Sequence, residues 1–158
     1  MREISYFCGK EKDMIRRSIE RTILRDFTRK KVIVLLGARQ VGKTTLLEGL
    51  HNKKEKVLSI NCDDLDDTLL IEEKTSTELR ALLAPYDMVF IDEAQRVKNI
   101  GLTLKKIGDL KLDTKVIVTG SSSLELAGEV NEPATGRLIE YHLFPFSLAE
   151  LAAETSER

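Results

Sequence analysis

The chain of 158 residues is predicted to adopt an α/β fold built on a mainly parallel sheet. Short, strongly apolar segments alternate along the chain with segments in which apolar residues recur at helical spacing. The first apolar segment also ends in a glycine-containing loop that leads into a helical segment. Strands that alternate with helices form right-handed crossover units, which place helices on both faces of a parallel sheet.

The predicted strands are runs of β-branched and other bulky apolar residues. The clearest is 32–36, which is wholly apolar and ends at Gly37, as expected of a strand buried on both faces. The five segments are 32–36, 56–60, 88–91, 116–118 and 138–143.

The first predicted helix carries an apolar stripe, and Asp13 is a candidate cap at its start. Its apolar residues recur every four positions, at Ile15, Ile19, Ile23 and Phe27. The other predicted helices are 43–50, 77–83, about 97–107 and 147–154. Residues 1–30 are therefore interpreted as an N-terminal helical extension, and residues 31–158 as one core domain.

Composition excludes several classes of protein. The 25 Lys and Arg residues balance 26 Asp and Glu residues, so a globally basic nucleic-acid binder is excluded, although a local basic patch is not. The two cysteines, Cys8 and Cys62, follow no metal-ligand pattern and favour a reducing compartment. No apolar run approaches the ~20 residues of a membrane span. These features predict a soluble, cytoplasmic chain with no membrane partner.

A complete phosphate-binding motif follows the first strand. Residues 37–44 read G-x-x-x-x-G-K-[ST], from Gly37 through Ala38, Arg39, Gln40, Val41 and Gly42 to Lys43 and Thr44. Glycines let backbone N–H groups approach phosphate oxygens, and the following helix adds its positive dipole end. Lys43 is predicted to reach the β- and γ-phosphates, and the Thr44 hydroxyl to coordinate Mg²⁺. The alternative, a strand-to-helix turn that binds no ligand, does not explain the full motif.

Two carboxylates follow the third strand. Strand ends line the ligand crevice of a parallel sheet, so Asp92 is predicted to hold Mg²⁺ and Glu93 to polarise the attacking water. The alternative is that both residues only begin a helix. No aspartate-x-x-glycine follows Asp92, and Asn52–Glu55 lacks the aspartate of a guanine-binding N-K-x-D. ATP is therefore the predicted nucleotide.

Polar residues after the fourth strand and an arginine before the fifth are further candidates. Thr119 or Ser121 could orient water or sense the γ-phosphate, although a Ser122–Glu125 capping box would explain this cluster equally well. Arg137 could complement charge in the transition state of phosphoryl transfer. The alternative is an arginine in a surface turn.

These motifs, in this order, resemble the AAA-like P-loop ATPases, and more narrowly a prokaryotic ATPase family whose longer members carry a C-terminal domain of unknown function. The similar segments are 36–45, 90–95, 119–123, 136–137 and 143–147, and they cover the chain from about residue 31 to 151. The resemblance implies a three-layer P-loop NTPase sandwich with sheet order 5-1-4-3-2. It also implies that Thr45 belongs to the nucleotide loop and that the helical lid and C-terminal domain are absent here.

The resemblance further assigns two catalytic roles. It implies that Ser121 lies at the sensor-1 position, where many relatives have asparagine. It implies that Arg137 is an arginine finger acting on the nucleotide of a neighbouring subunit or partner protein. The catalytic set is then Lys43, Glu93, Ser121 and Arg137, with Thr44 and Asp92 as metal ligands.

The leading hypothesis is Mg²⁺-dependent ATP hydrolysis that drives a conformational change in a larger protein or assembly. One alternative is a nucleotide-dependent switch or scaffold with negligible turnover. Another is part of a nucleic-acid-processing ATPase, because Asp92–Gln95 is similar to the helicase D-E-x-x motif. Two weaker signals are interpreted conservatively: the arginines at 17, 21, 25 and 29 as a solvated helix face, and the carboxylates in 63–67 as a solvated loop rather than a metal site.

Overall fold

The computed structural model describes residues 17–51, 54–121 and 136–156, the last four by their backbone alone. The predicted cap Asp13 and the predicted Ser122–Glu125 capping box lie outside these residues. No helix in the described part of the chain is long and apolar enough to cross a membrane.

Five strands form one sheet in the order β2-β3-β4-β1-β5, and each neighbouring pair is parallel. The predicted order, read from the other edge, is therefore confirmed. All but one of the predicted strand bounds lie within one residue of the observed ones. The strands are β1 (Val32–Leu36), β2 (Val57–Asn61), β3 (Met88–Asp92), β4 (Lys115–Gly120) and β5 (Leu138–His142).

Helices connect and cover these strands. They are α1 (Glu20–Asp26), α2 (Lys43–Leu50), α3 (Leu65–Leu69), α4 (Ser76–Leu83), α5 (Ile100–Asp109) and α6 (Leu148–Ser156). The sequence did not predict α3, which begins in the acidic segment that was interpreted as a loop. Asp64 caps it by accepting a hydrogen bond from the Asp66 N–H at 2.9 Å.

Apolar side chains pack on both faces of the sheet, because alternate residues of a strand point to opposite faces. On one face, Val32, Val34 and Leu36 of β1 belong to a cluster that includes residues of α4 and α5. On the other, Ile33 and Leu35 pack with residues of α1 and α2. All five β1 residues are buried, which confirms the prediction of a strand buried on both faces and gives the loop that follows it a fixed starting point.

Helix α1 is tied to the domain rather than lying apart from it. Ile23 is fully buried in the cluster that contains β1 and α2 residues. The Tyr141 hydroxyl of β5 donates a hydrogen bond to the buried Asp26 carboxylate, and this bond lowers the pKa of Asp26. The helix therefore holds a fixed position beside the first and fifth strands.

Candidate nucleotide-binding site

The phosphate loop leaves the sheet at the carboxyl end of β1. The Gly37 N–H donates to the Gly120 carbonyl at 3.2 Å, which anchors the loop to the end of β4. A Cβ on Gly37 would lie 2.6 Å from the Leu143 carbonyl oxygen, so only glycine fits there. Gly42 has a φ of 90°, a conformation that glycine adopts without strain, and α2 begins at the next residue.

Lys43 packs against the backbone of this loop. Its side chain is buried, and its Nζ donates to the Gly37 carbonyl at 2.8 Å and to the Ala38 carbonyl at 3.0 Å. Ala38, Arg39 and Gln40 are exposed above it. Thr44 and Thr45, in the first turn of α2, are also exposed. The positive charge of Lys43 thus lies where the exposed loop backbone and the helix N-terminus come together.

Asp92 and Thr119 form a polar cluster at the ends of β3 and β4. The fully buried Thr119 hydroxyl donates a hydrogen bond to Asp92 Oδ1, and this oxygen also accepts from the Glu93 N–H at 3.1 Å. The Glu93 N–H lies 3.3 Å from Thr119 Oγ1 as well. These contacts hold one carboxylate oxygen of Asp92 in a fixed orientation at the carboxyl edge of the sheet.

Gln95 fixes the neighbouring carboxylate. Glu93 has a left-handed backbone, with a φ of 53°, and its Oε2 accepts a hydrogen bond from Gln95 Nε2. Sequence reasoning gave no role to Gln95, since a side-chain contact between residues two apart depends on the local backbone. The amide of Gln95 therefore sets the orientation of the proposed water-polarising group.

Ser121 and Arg137 lie at different ends of the sheet. Ser121 follows β4, so it is at the same edge as Asp92 and the phosphate loop. Arg137 precedes β5, and its carbonyl accepts from the Val32 N–H at 3.1 Å at the opposite edge. Its guanidinium pairs with Asp109 at the end of α5. The structure therefore brings Ser121 to the edge that carries the phosphate loop and keeps Arg137 away from it.

Arg17 is the main site residue that the sequence did not reveal. Instead of lying on a solvated face as interpreted, it is only 8% exposed and precedes the first turn of α1. Its Nη1 donates to the Val41 carbonyl of the phosphate loop at 3.0 Å. The spacing of four residues suggested a helix face, but Arg17 lies before the helix begins, so that periodicity did not apply to it.

The side chains of the acidic segment make local contacts. Asp63 pairs with Arg96 at 3.2 Å, and the Asp67 carboxylate accepts from the Asn61 N–H at 2.9 Å. Burial raises the pKa of the neighbouring Cys62 thiol to about 12, which leaves it protonated. In the part of the chain that the structure describes, no group of three or more His, Cys, Asp or Glu side chains could hold a metal ion.

One protein family matches this arrangement. The family described as AAA domain matches residues 29–152, which include all five strands and the phosphate loop. The chain belongs to this AAA domain family. The likeness to AAA-like P-loop ATPases expected from the sequence is therefore confirmed.

Related proteins extend the comparison. The chain is 26% identical over 144 residues to the uncharacterized protein Rv2008c of Mycobacterium tuberculosis and 28% identical over 146 residues to the uncharacterized protein MJ1544 of Methanocaldococcus jannaschii. Each match covers 90% of this chain and 32% of the relative. The chain thus spans about a third of the length of these curated relatives.

Two solved structures share the fold. The Walker-type ATPase PABY2304 of Pyrococcus abyssi superposes with a TM-score of 0.58 at 18% identity, covering 96% of this chain and 61% of the other. A protein of Cytophaga hutchinsonii, described as a candidate ATPase, gives a TM-score of 0.53 at 13% identity, with 87% and 48% covered. At these identities the likeness supports the architecture alone.

Proposed function

We propose that this AAA domain binds ATP with Mg²⁺ and hydrolyses it at the carboxyl edge of the sheet. The observation that carries the proposal is the buried Lys43, which lies between the phosphate loop and the N-terminus of α2. Asp92 ends β3 and Glu93 follows it at the same edge, where Asp92 contacts Thr119 of β4. Cationic, N–H and carboxylate groups therefore meet where a triphosphate needs them.

The residues present fit this ligand by their chemistry. A hydroxyl oxygen and a carboxylate are ligands that Mg²⁺ prefers, and Thr44 is exposed while Thr119 orients Asp92. When bound, the ion neutralises charge on the β- and γ-phosphate oxygens. The residues that hold the nucleotide are Gly37, Ala38, Arg39, Gln40, Val41, Gly42, Lys43, Thr44 and Thr45.

Each catalytic group has a distinct task in this proposal. Lys43 exchanges its contacts with the Gly37 and Ala38 carbonyls for phosphate oxygens. Glu93 accepts a hydrogen bond from the attacking water and orients it, with Gln95 holding the carboxylate. Ser121 contacts the γ-phosphate or the water from the end of β4. Arg137 serves the nucleotide of a neighbouring copy or partner, because it lies at the edge remote from its own loop.

Three substitutions and a concentration series test this proposal. We expect Lys43→Ala to abolish binding of Mg²⁺–ATP, and Glu93→Gln to keep binding but stop phosphate release. Equal turnover in Glu93→Gln and wild type would remove the role given to Glu93. Catalysis between copies would be supported if the specific activity of wild type rises with protein concentration while that of Arg137→Ala stays low at every concentration. A specific activity of wild type that does not depend on protein concentration would leave Arg137 with only its structural ion pair to Asp109.

The hydrogen bond from Gln95 to Glu93 favours a second candidate, a nucleotide-dependent switch with negligible turnover. Because Oε2 of Glu93 already accepts a hydrogen bond from Gln95, only the other carboxylate oxygen is left to orient water. The domain would then bind ATP and hydrolyse it slowly. Nucleotide-dependent thermal stabilisation without phosphate release would identify this behaviour. In either case we propose that the nucleotide acts on a larger cytoplasmic protein or assembly, since the relatives are about three times as long.

A further inference from the structure

Arg17 contacts three separate parts of the domain from one buried position. Its Nη1 donates to the Val41 carbonyl at 3.0 Å, and its Nη2 donates to the Phe144 carbonyl after β5. Its Nε donates to Glu150 Oε1 of α6 at 3.2 Å. The guanidinium carbon also lies 4.3 Å from the centre of the Phe146 ring. The planar fork of an arginine is suited to such simultaneous contacts.

The contact with Val41 constrains the phosphate loop through the geometry of the peptide bond. In a trans peptide the C=O of one residue and the N–H of the next point in opposite directions. No peptide bond among the described residues is cis. Because the Val41 carbonyl is directed at Arg17, the Gly42 N–H is directed away from Arg17. Arg17 thus fixes the direction of a loop N–H group immediately before Lys43.

Glu150 links the same arginine to the start of α6. Its Oε1 accepts from Arg17 and from the Ser18 N–H at 2.9 Å. Its Oε2 accepts from the Ser147 N–H at 2.9 Å, and the Ser147 hydroxyl lies 3.2 Å from the Glu150 N–H. This reciprocal pair is a capping box, which stabilises the first turn of a helix. The side chains of Arg17 and Glu150 are 7% and 10% exposed, so both are shielded from water.

We infer that Arg17 is a positioning residue that couples nucleotide binding at the phosphate loop to the packing of α6. The inference rests on the proposed nucleotide site. A nucleotide that binds the loop in its Arg17-held form also favours the Arg17–Glu150 pair, and so favours docked α6. By thermodynamic reciprocity, docked α6 favours nucleotide binding by the same factor. Residues 148–156 are therefore the segment through which nucleotide occupancy reaches the rest of the protein.

Two measurements on the full chain test this coupling. The first is the Kd of a fluorescent ATP analogue with Mg²⁺. The second is hydrogen exchange of the amides of residues 148–156, with and without the analogue. The variants are Arg17→Leu, Arg17→Lys and Glu150→Gln. Arg21→Leu is the matched control, because Arg21 is an exposed arginine on α1.

We expect Arg17→Leu to weaken analogue binding by roughly tenfold, since a buried charge-assisted hydrogen bond is lost. It should also abolish the nucleotide-dependent slowing of exchange in α6. Arg17→Lys keeps the charge without the fork and should show the same loss in part, which preserves the test if Arg17→Leu does not fold. Glu150→Gln keeps the loop contact, so it should uncouple α6 with a smaller change in Kd. The Arg21→Leu variant should match wild type.

Two results would overturn the inference. One is a Kd for Arg17→Leu and Arg17→Lys within twofold of Arg21→Leu. The other is the same nucleotide-dependent protection of α6 in all variants. A failure of the nucleotide site itself is recognised separately, because Lys43→Ala would then bind the analogue as wild type does. If Lys43→Ala abolishes binding while the Arg17 variants bind normally, only the coupling is wrong.

Discussion

Gly37→Ala is expected to destabilise the nucleotide-free domain through a backbone clash. The added Cβ would lie 2.6 Å from the Leu143 carbonyl oxygen and 3.0 Å from Val41 Cγ2. Ordinary contact requires a separation larger by about 0.8 Å. The Leu143 N–H donates to the Leu36 carbonyl at 2.7 Å, so moving Leu143 that far takes this bond out of hydrogen-bonding range.

The expected cost combines overpacking with the weakened hydrogen bond, and amounts to about 2–4 kcal/mol of unfolding free energy. Gly42→Ala is the control, because the φ of 90° at Gly42 strains an alanine, while the added Cβ would lie 3.9 Å from Arg17 Nη1, an ordinary contact distance. Strain alone should cost about 1–2 kcal/mol. Urea unfolding followed by far-UV circular dichroism measures both variants without nucleotide. A Gly37→Ala loss below that of Gly42→Ala would refute the clash.

Three further variants test the polar contacts. Thr119→Val removes the hydroxyl that orients Asp92, so binding of Mg²⁺–ATP should weaken about tenfold in a magnesium titration. Gln95→Leu releases the Glu93 carboxylate, so a phosphate-release assay should show a lower kcat and a smaller change in KM. An unchanged kcat would contradict the positioning role of Gln95. The N–H groups of Ser147 and Ser18 lower the pKa of Glu150 to about 2, so its stabilisation is complete above pH 4.5 and is lost as the pH falls towards 2. The free energy of urea unfolding should therefore depend less on pH in Glu150→Gln than in wild type over that interval. An equal dependence on pH in the two proteins would argue against these hydrogen bonds.

The sheet could be predicted from the sequence because its signals are local. Strand β1 is a continuous apolar run that is followed by Gly37, and the apolar run of β3 leads directly into Asp92. The short helix α3 was missed, because its acidic composition is equally typical of a solvated loop. The main-chain hydrogen bond from the Thr68 N–H to the Asp64 carbonyl, at 3.0 Å, identifies the segment as a helix.

The supporting contacts of the site depend on residues distant in sequence. Arg17 and Glu150 are 133 positions apart, and no spacing rule connects them. The contact of Thr119 with Asp92 joins two neighbouring strands, so it follows only once the strand order is known. The sequence indicated both Thr119 and Ser121 as candidates for contact with water or the γ-phosphate. It could not show that Thr119 instead orients the Asp92 carboxylate.

Arg137 and the phosphate loop lie on opposite sides of the domain, so the two ends of each copy differ in what they offer a neighbouring copy. They lie at opposite ends of β1, which is five residues long and spans about 16 Å. An arginine that serves a neighbour from this position joins copies head to tail, with the amino edge of one sheet against the carboxyl edge of the next. Such heterologous contacts close into a ring when the rotation per copy divides a full turn, and otherwise continue as a filament. In a filament one terminal copy always has an unserved site, so turnover per copy would rise with filament length, whereas a closed ring has no such dependence.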